Sequence, residues 1–128
     1  METIDMTNHE HGADVLNELN PLVHDLRQAI PEVMKAFAGL HAATFAEGSL
    51  NAKTKELIAL AISVIQRCDG CIAAHARGAA RRGATQAEVA EAIGVAILMT
   101  GGPATVYGPR AFAAFKGFVT EKPGGESQ

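Results

Sequence analysis

Apolar side chains recur three and four residues apart along most of this chain, and no segment alternates with period two for long enough to form a strand. That periodicity predicts an all-α protein, a bundle of about six helices. Asp14 is positioned to cap a short first turn carrying Val15, Leu16 and Leu19. Asn20-Pro21 then reads as a cap followed by proline at the first helical position, where its missing N–H costs nothing. Leu22, Val23, Leu26 and Ile30 supply that helix with its stripe. Pro31 interrupts and opens the next helix, with Val33, Met34, Phe37, Leu40, His41 and Phe45 on one face and Gly48 as its terminator.

Asn51 is placed to cap a central helix over 52–66. Its run Leu57-Ile58-Ala59-Leu60-Ala61-Ile62 is apolar on nearly every side, which predicts a position inside the bundle. A fourth helix is expected to begin near Asp69 or Gly70 and to end at Gly83. Thr85-Gln86-Ala87-Glu88 is a capping box that opens a fifth, with Val89, Ile93, Val95, Ala96 and Met99. Gly101-Gly102-Pro103 breaks the chain before a last helix over about 104–118. These elements make one domain over 14–119, with flexible polar tails at 1–13 and 120–128. His9 and His11 fall in the first tail and read as tail residues, not as a metal site. Ala and Gly crowd the fourth and fifth helices, and small side chains let helix axes approach to ~8–10 Å.

Composition narrows the functional classes. A chain of 128 residues is long enough for one self-sufficient core. Its apolar fraction of 48 % is high for that size and implies that some apolar surface is covered by other subunits. A formal charge of −3 leaves no electrostatic footprint for nucleic acid or an anionic membrane. Arg77, Arg81 and Arg82 read as a solvated helix face in preference to a phosphate site. The start Met1-Glu2-Thr3-Ile4-Asp5 has neither the basic nor the apolar region of a signal peptide. The longest apolar stretch, Leu57 to Ile65, is interrupted by Ser63 and falls far short of the ~20 residues that cross a bilayer. The expected location is cytoplasmic, where a lone cysteine pair is more often catalytic or metal-binding than structural.

The chemistry gathers at Cys68-Asp69-Gly70-Cys71-Ile72-Ala73-Ala74-His75, which contains both cysteines of the chain. On a helix, positions 68, 71 and 75 share a face. With Asp69 as N-cap, Cys71 would lie in the first turn, among unpaired N–H groups that favour a thiolate over the free thiol with its pKa of about 8.5. Arg67, adjacent to Cys68, adds a positive charge. His75 can exchange a proton with Cys71, and Cys68 is near enough to attack a sulfenic acid on Cys71 and close a disulfide. A nucleophile, a resolving thiol and a base complete the set needed to reduce a peroxide. Zinc is the sharper rival: Cys68, Cys71 and His75 would supply three ligands, and the fourth would have to be Glu56, a water or another subunit. Idle buried cysteines are the bland reading. His24 and His41 read as ordinary helix-face residues.

The segment Lys53 to Ala61, the Cys68–His75 cluster, Gly83-Ala84-Thr85 with Glu88, and Gly101-Gly102-Pro103-Ala104 together resemble the carboxymuconolactone decarboxylase family, and within it the alkylhydroperoxidase AhpD-like branch. The likeness runs from about Pro31 to Phe118. Its most specific element is the four-point spacing of Glu56, Cys68, Cys71 and His75. The resemblance implies an AhpD-like helical fold assembled as trimers or hexamers, and a peroxidase cycle with no cofactor. On that pattern Cys71 attacks the hydroperoxide, Cys68 resolves, and Glu56 and His75 form the proton relay. An external dithiol, dihydrolipoamide-like or thioredoxin-like, would reduce the redox-active disulfide through Cys68.

In one respect the chain departs from the pattern. Gly70 stands where the family's best-known peroxidase has a histidine, which bears on peroxide rate more than on dithiol exchange. Glu56 precedes Cys68 by twelve residues, ~18 Å along a straight helix, so it can join the site only if the next helix folds back or a neighbouring subunit supplies it. The alternatives are a general disulfide reductase with weak peroxidase activity, a zinc-stabilised helical module, an inert oligomeric scaffold, and the lactone decarboxylation of the family name. That last reaction needs proton donors and acceptors, not paired thiols.

Overall fold

The structure, a computed structural model, describes residues 9–121. Six helices follow in order: α1 (Ala13–Ala29), α2 (Pro31–Phe45), α3 (Ala52–Ile65), α4 (Asp69–Arg81), α5 (Gln86–Thr100) and α6 (Gly102–Glu121). Of the expected tails, residues 1–8 and 122–128 lie outside the described residues. Residues 9–12 lead directly into α1. The Glu10 N–H donates to Asp14 Oδ2 at 2.8 Å, and Gly12 lies so close to the Phe118 ring that a Cβ there would collide with it.

Local capping chemistry behaves as the sequence pattern predicts at three helix starts. Asn51 Oδ1 accepts the Thr54 N–H at 2.8 Å to begin α3, and Thr85 and Glu88 complete a reciprocal capping box on α5. Pro31 occupies the first turn of α2. The start of α1 is different. Asn20-Pro21 opens no helix: α1 runs unbroken through Pro21, and Asp14 lies within its first turn, after Gly12 as N-cap. Asn17 and Pro21 both face solvent, so water can satisfy the Asn17 carbonyl that Pro21 leaves without a partner.

The core sits among α3, α4, α5 and α6. Leu60, Val64, Ile72, Val89 and Phe115 are its largest fully buried side chains, and alanines fill the close approaches between them. Helix α1 lies across α4, whereas α2 packs mainly on α1 and the edge of α3, reaches α4 through Phe45 and His41 at His75, and buries none of its residues. Helix α3 departs from the fully interior position expected of it. Leu60 and Val64 are buried, but Ile58 and Ile62 are 45 % and 48 % exposed and turn toward α2. Among the described residues no helix is long and apolar enough to cross a membrane.

The turn between α3 and α4 positions the chemistry. Arg67 adopts φ 55°, a left-handed conformation uncommon for a residue with a side chain, and Cys68 N–H returns to Ser63 O at 3.2 Å. The chain therefore reverses within three residues, and α4 packs back along α3. Ser63, buried at the end of α3, satisfies its hydroxyl by donating to Ala59 O at 2.7 Å.

Candidate active site

Cys68 and Cys71 are joined as a disulfide across the start of α4, with their Cα atoms 5.2 Å apart. The N-cap is Cys68, not Asp69. Its Sγ accepts the Cys71 N–H at 3.2 Å, the role that an Asp or Ser oxygen plays elsewhere. Asp69 instead occupies the first turn with its side chain exposed, where a negative charge still complements the helix dipole. The free N–H of the first turn is thus directed at Cys68 sulfur, whereas the sequence pattern assigned that benefit to Cys71.

His75 lies one turn beyond Cys71 on the same helix. Its Nδ1 and Glu56 Oε1 are 2.8 Å apart, and both side chains are largely withdrawn from solvent. With Nδ1–H donated to the carboxylate, Nε2 is the ring nitrogen left to exchange a proton. The meeting takes place within one chain, because the α3–α4 reversal brings the beginning of α3 beside the middle of α4.

That approach depends on Gly78, which the sequence pattern did not single out. A Cβ at position 78 would overlap the Glu56 carboxylate, so the carboxylate can lie against α4 in this position only with hydrogen at residue 78. The available signal was the abundance of Ala and Gly along α4. Gly70 has its own neighbour: a Cβ there would stand 3.1 Å from Leu19 Cδ2, because α1 passes over the first turn of α4.

Two further residues join the site from α2. Phe45 and His75 rings lie 5.7 Å apart and 22° from parallel, and His41 stacks on Phe45 at 4.6 Å. His41 was expected to be an ordinary helix-face residue, but it stands 6.3 Å from His75 with its ring nearly parallel. His24 does remain on the exposed face of α1, with Gln28 Nε2 3.1 Å from its Nε2.

Two clefts meet at this histidine pair. One, of about 450 Å³, lies between α2 and α3 and is walled by Phe37, Leu40, Phe45, Ile58 and Ile62. The other, of about 400 Å³, runs along α4 past Glu56, Gly78, Arg77, Arg81 and Arg82. Burial, and then the nearby Arg81 charge, hold the Arg77 guanidinium below its ordinary pKa, with Glu56 opposing them. Among the described residues no three His, Cys, Asp or Glu side chains converge as a metal-ligand set.

A six-helix bundle bearing a paired-cysteine site beside a carboxylate–imidazole pair defines the class, and the comparisons agree with it. Residues 31–116 match the carboxymuconolactone decarboxylase family, and the chain belongs to that family. It is 42 % identical over 100 residues to an uncharacterised protein from Cupriavidus necator, covering 78 % of this chain and 88 % of that protein. It is likewise 42 % identical over 78 residues to uncharacterised protein 4 in the cox locus of Paracoccus denitrificans, covering 61 % of this chain and 70 % of that one. The fold superposes with a TM-score of 0.81 on the crystal structure of an apo carboxymuconolactone decarboxylase family protein from Legionella pneumophila. That match is at 36 % identity and covers 84 % of this chain and 96 % of the other. A protein from Thermotoga maritima gives a TM-score of 0.70 at 28 % identity, covering 82 % and 98 %.

Proposed function

We propose that this protein is a thiol-dependent peroxidase of the AhpD-like branch, reducing organic hydroperoxides through a dithiol–disulfide cycle at Cys68 and Cys71. The observation that carries this reading is the 2.8 Å contact between Glu56 and His75, one helical turn from the cysteine pair. A carboxylate that orients an imidazole beside a reactive sulfur is the arrangement general acid–base catalysis requires.

In the reduced enzyme, the Cys71 thiolate attacks the terminal peroxide oxygen. The S–O bond forms as the O–O bond breaks, and the departing alkoxide takes a proton from His75 to leave as an alcohol. Cys71 is then a sulfenic acid. Cys68, its negative charge favoured by the Cys71 N–H, attacks Cys71 sulfur and displaces hydroxide, which leaves as water after taking up a proton. An external dithiol attacks Cys68 sulfur and expels Cys71 as a thiolate, giving a mixed disulfide; its second sulfur then attacks the donor's own sulfur in that bond and expels Cys68. Each round converts one hydroperoxide and one dithiol into an alcohol, water and the donor's disulfide. Glu56 keeps His75 oriented and compensates its charge when it is protonated. Strongly exposed side chains such as Leu98 and Met99, at 81 % and 69 %, support assembly of the working enzyme as a trimer or hexamer.

A second reading, a general disulfide reductase, is favoured by Gly70. With Leu19 packed on it, that position supplies no further proton donor. Stopped-flow oxidation of the reduced protein separates the two. A peroxidase forms the Cys68–Cys71 bridge faster with an alkyl hydroperoxide than with a small-molecule disulfide, and a reductase does the reverse. In steady state, Cys71→Ser should lower peroxide turnover by ~10³-fold or more. Cys68→Ser should permit a single turnover that leaves a sulfenic acid on Cys71, detectable by dimedone labelling and mass spectrometry. Normal turnover by Cys71→Ser would refute the assigned roles.

A further inference from the structure

Arg77 and Arg81 of α4 and Arg82 at its C-cap have no role in the thiol cycle, and although Arg81 and Arg82 are exposed, all three open onto one concave surface. Arg77, Arg81 and Arg82 line one cleft with Glu56 as its sole acidic residue, and that carboxylate is already engaged by His75. Among the described residues no ion pair within 4.0 Å involves any of the three. Guanidinium groups gathered around a concave surface, in excess over carboxylate, provide forked donors for an oxyanion.

The second cleft gives the ligand its shape. Its wall is mostly apolar, with Thr44 and a Lys55 whose ammonium donates to Ala46 O, and it shares His41 and His75 with the arginine cleft. A molecule occupying both would place hydrocarbon against Phe37, Ile58 and Ile62, a negative head at Arg81 and Arg82, and its middle at His75. His75, one helical turn from Cys71, is the member of the proposed cycle that both clefts share, so the reacting group belongs between tail and head.

We propose that the arginine cleft is a carboxylate-recognition subsite, and that the substrate is a long-chain carboxylic acid carrying its hydroperoxide in mid-chain. The position of the reacting group rests on the peroxidase reading above; recognition of the anionic head does not. Burial of Arg77 beside Arg81 adds to the case, since a bound anion relieves the unfavourable charge crowding that their proximity creates.

The test begins with binding to the reduced full-length protein, followed by calorimetry and by the imidazole NMR signals of His41 and His75. Decanoate should bind about tenfold or more tighter than uncharged decanamide, as charge-assisted hydrogen bonds require. Its affinity should fall with added salt. The double variant Arg81→Gln/Arg82→Gln, at two exposed positions, should bring decanoate down to the level of decanamide. Equal binding of the two probes, or an unchanged decanoate affinity in the variant, would overturn the subsite. In turnover, the ratio of kcat/KM for linoleic acid hydroperoxide to that for cumene hydroperoxide should drop about tenfold in the double variant. An unchanged ratio overturns the substrate assignment. If neither peroxide is reduced while decanoate still binds through the arginines, the peroxidase reading fails and the anion subsite stands.

Discussion

Helices α2 and α4 both reach His75, and they are held in place in opposite ways. Helix α4 is short and alanine-rich, yet Ile72, Ala73, Ala76, Ala79 and Ala80 are buried. Helix α2 carries larger hydrophobic side chains, and Val33, Phe37 and Leu40 are each more than 60 % exposed. Hydrophobicity alone does not decide which helix is buried. Small side chains let α4 close on its neighbours along most of its length, whereas α2 meets the bundle along α1, one edge of α3 and the His75 ring. The division suits the proposed chemistry. Sulfurs, imidazole and carboxylate ride on the tightly packed α3–α4 hairpin, and one side of the apolar cleft belongs to the loosely held helix.

The sharpest way to break this contrast is to truncate one leucine in each half. Leu60→Ala should cost about 2–5 kcal/mol, as a fully buried leucine does, and Leu40→Ala less than about 0.5 kcal/mol. Urea unfolding at low protein concentration measures both. A loss at Leu40 comparable with that at Leu60 would mean that another subunit covers α2 in the working protein.

A pair of glycines gives a smaller effect whose sign reverses between the two helices. Gly78→Ala forces a Cβ into the Glu56 carboxylate and should destabilise by about 1–3 kcal/mol. Gly39→Ala in α2 meets nothing within 4 Å and should stabilise by about 0.5–1 kcal/mol. Thermal unfolding of the two variants checks the signs. Adding Glu56→Ala to Gly78→Ala should recover much of the loss if the carboxylate is the obstacle, and a purely additive double mutant would exclude it.

The smallest effect concerns acid. Glu88 ties α5 to α3: its carboxylate accepts the Thr85 N–H at 2.9 Å and pairs with Lys53 at 3.0 Å. The Thr85 bond first, and Lys53 second, hold its pKa below the ordinary 4.5. A lowered folded-state pKa means that the stabilisation is complete above 4.5 and is lost as pH falls through the lower folded value. The stability difference between wild type and Glu88→Gln should therefore be constant near neutrality and shrink below pH 4.5. A difference independent of pH would show that the charge contributes nothing. Because the tie is exposed, the change should be small.

Much of this molecule is legible in its sequence, for a reason that also limits the reading. Asn51, Pro31 and the Thr85–Glu88 box mark helix starts through contacts that reach only three or four residues. The spacing of Cys68, Cys71 and His75 likewise sets a common face on one helix. Where a contact within that range was misread, two local choices competed. Asn20-Pro21 resembles a helix start but sits where solvent can satisfy the freed carbonyl, and Cys68 sulfur takes the capping position that Asp69 was suited to fill.

Glu56 and His75 are nineteen positions apart, and whether they touch depends on the hand and tightness of the α3–α4 reversal. Arg67 in its left-handed conformation turns the chain, the missing Cβ of Gly78 leaves room for the carboxylate, and neither announces itself in a hydrophobic pattern. The stacking of His41 and Phe45 toward His75, and the two clefts that meet there, depend in the same way on where separate helices cross. Periodicity and capping act along the chain and specify helices; the distance between their axes is set by side-chain volume at the crossing, which only the packed bundle brings together.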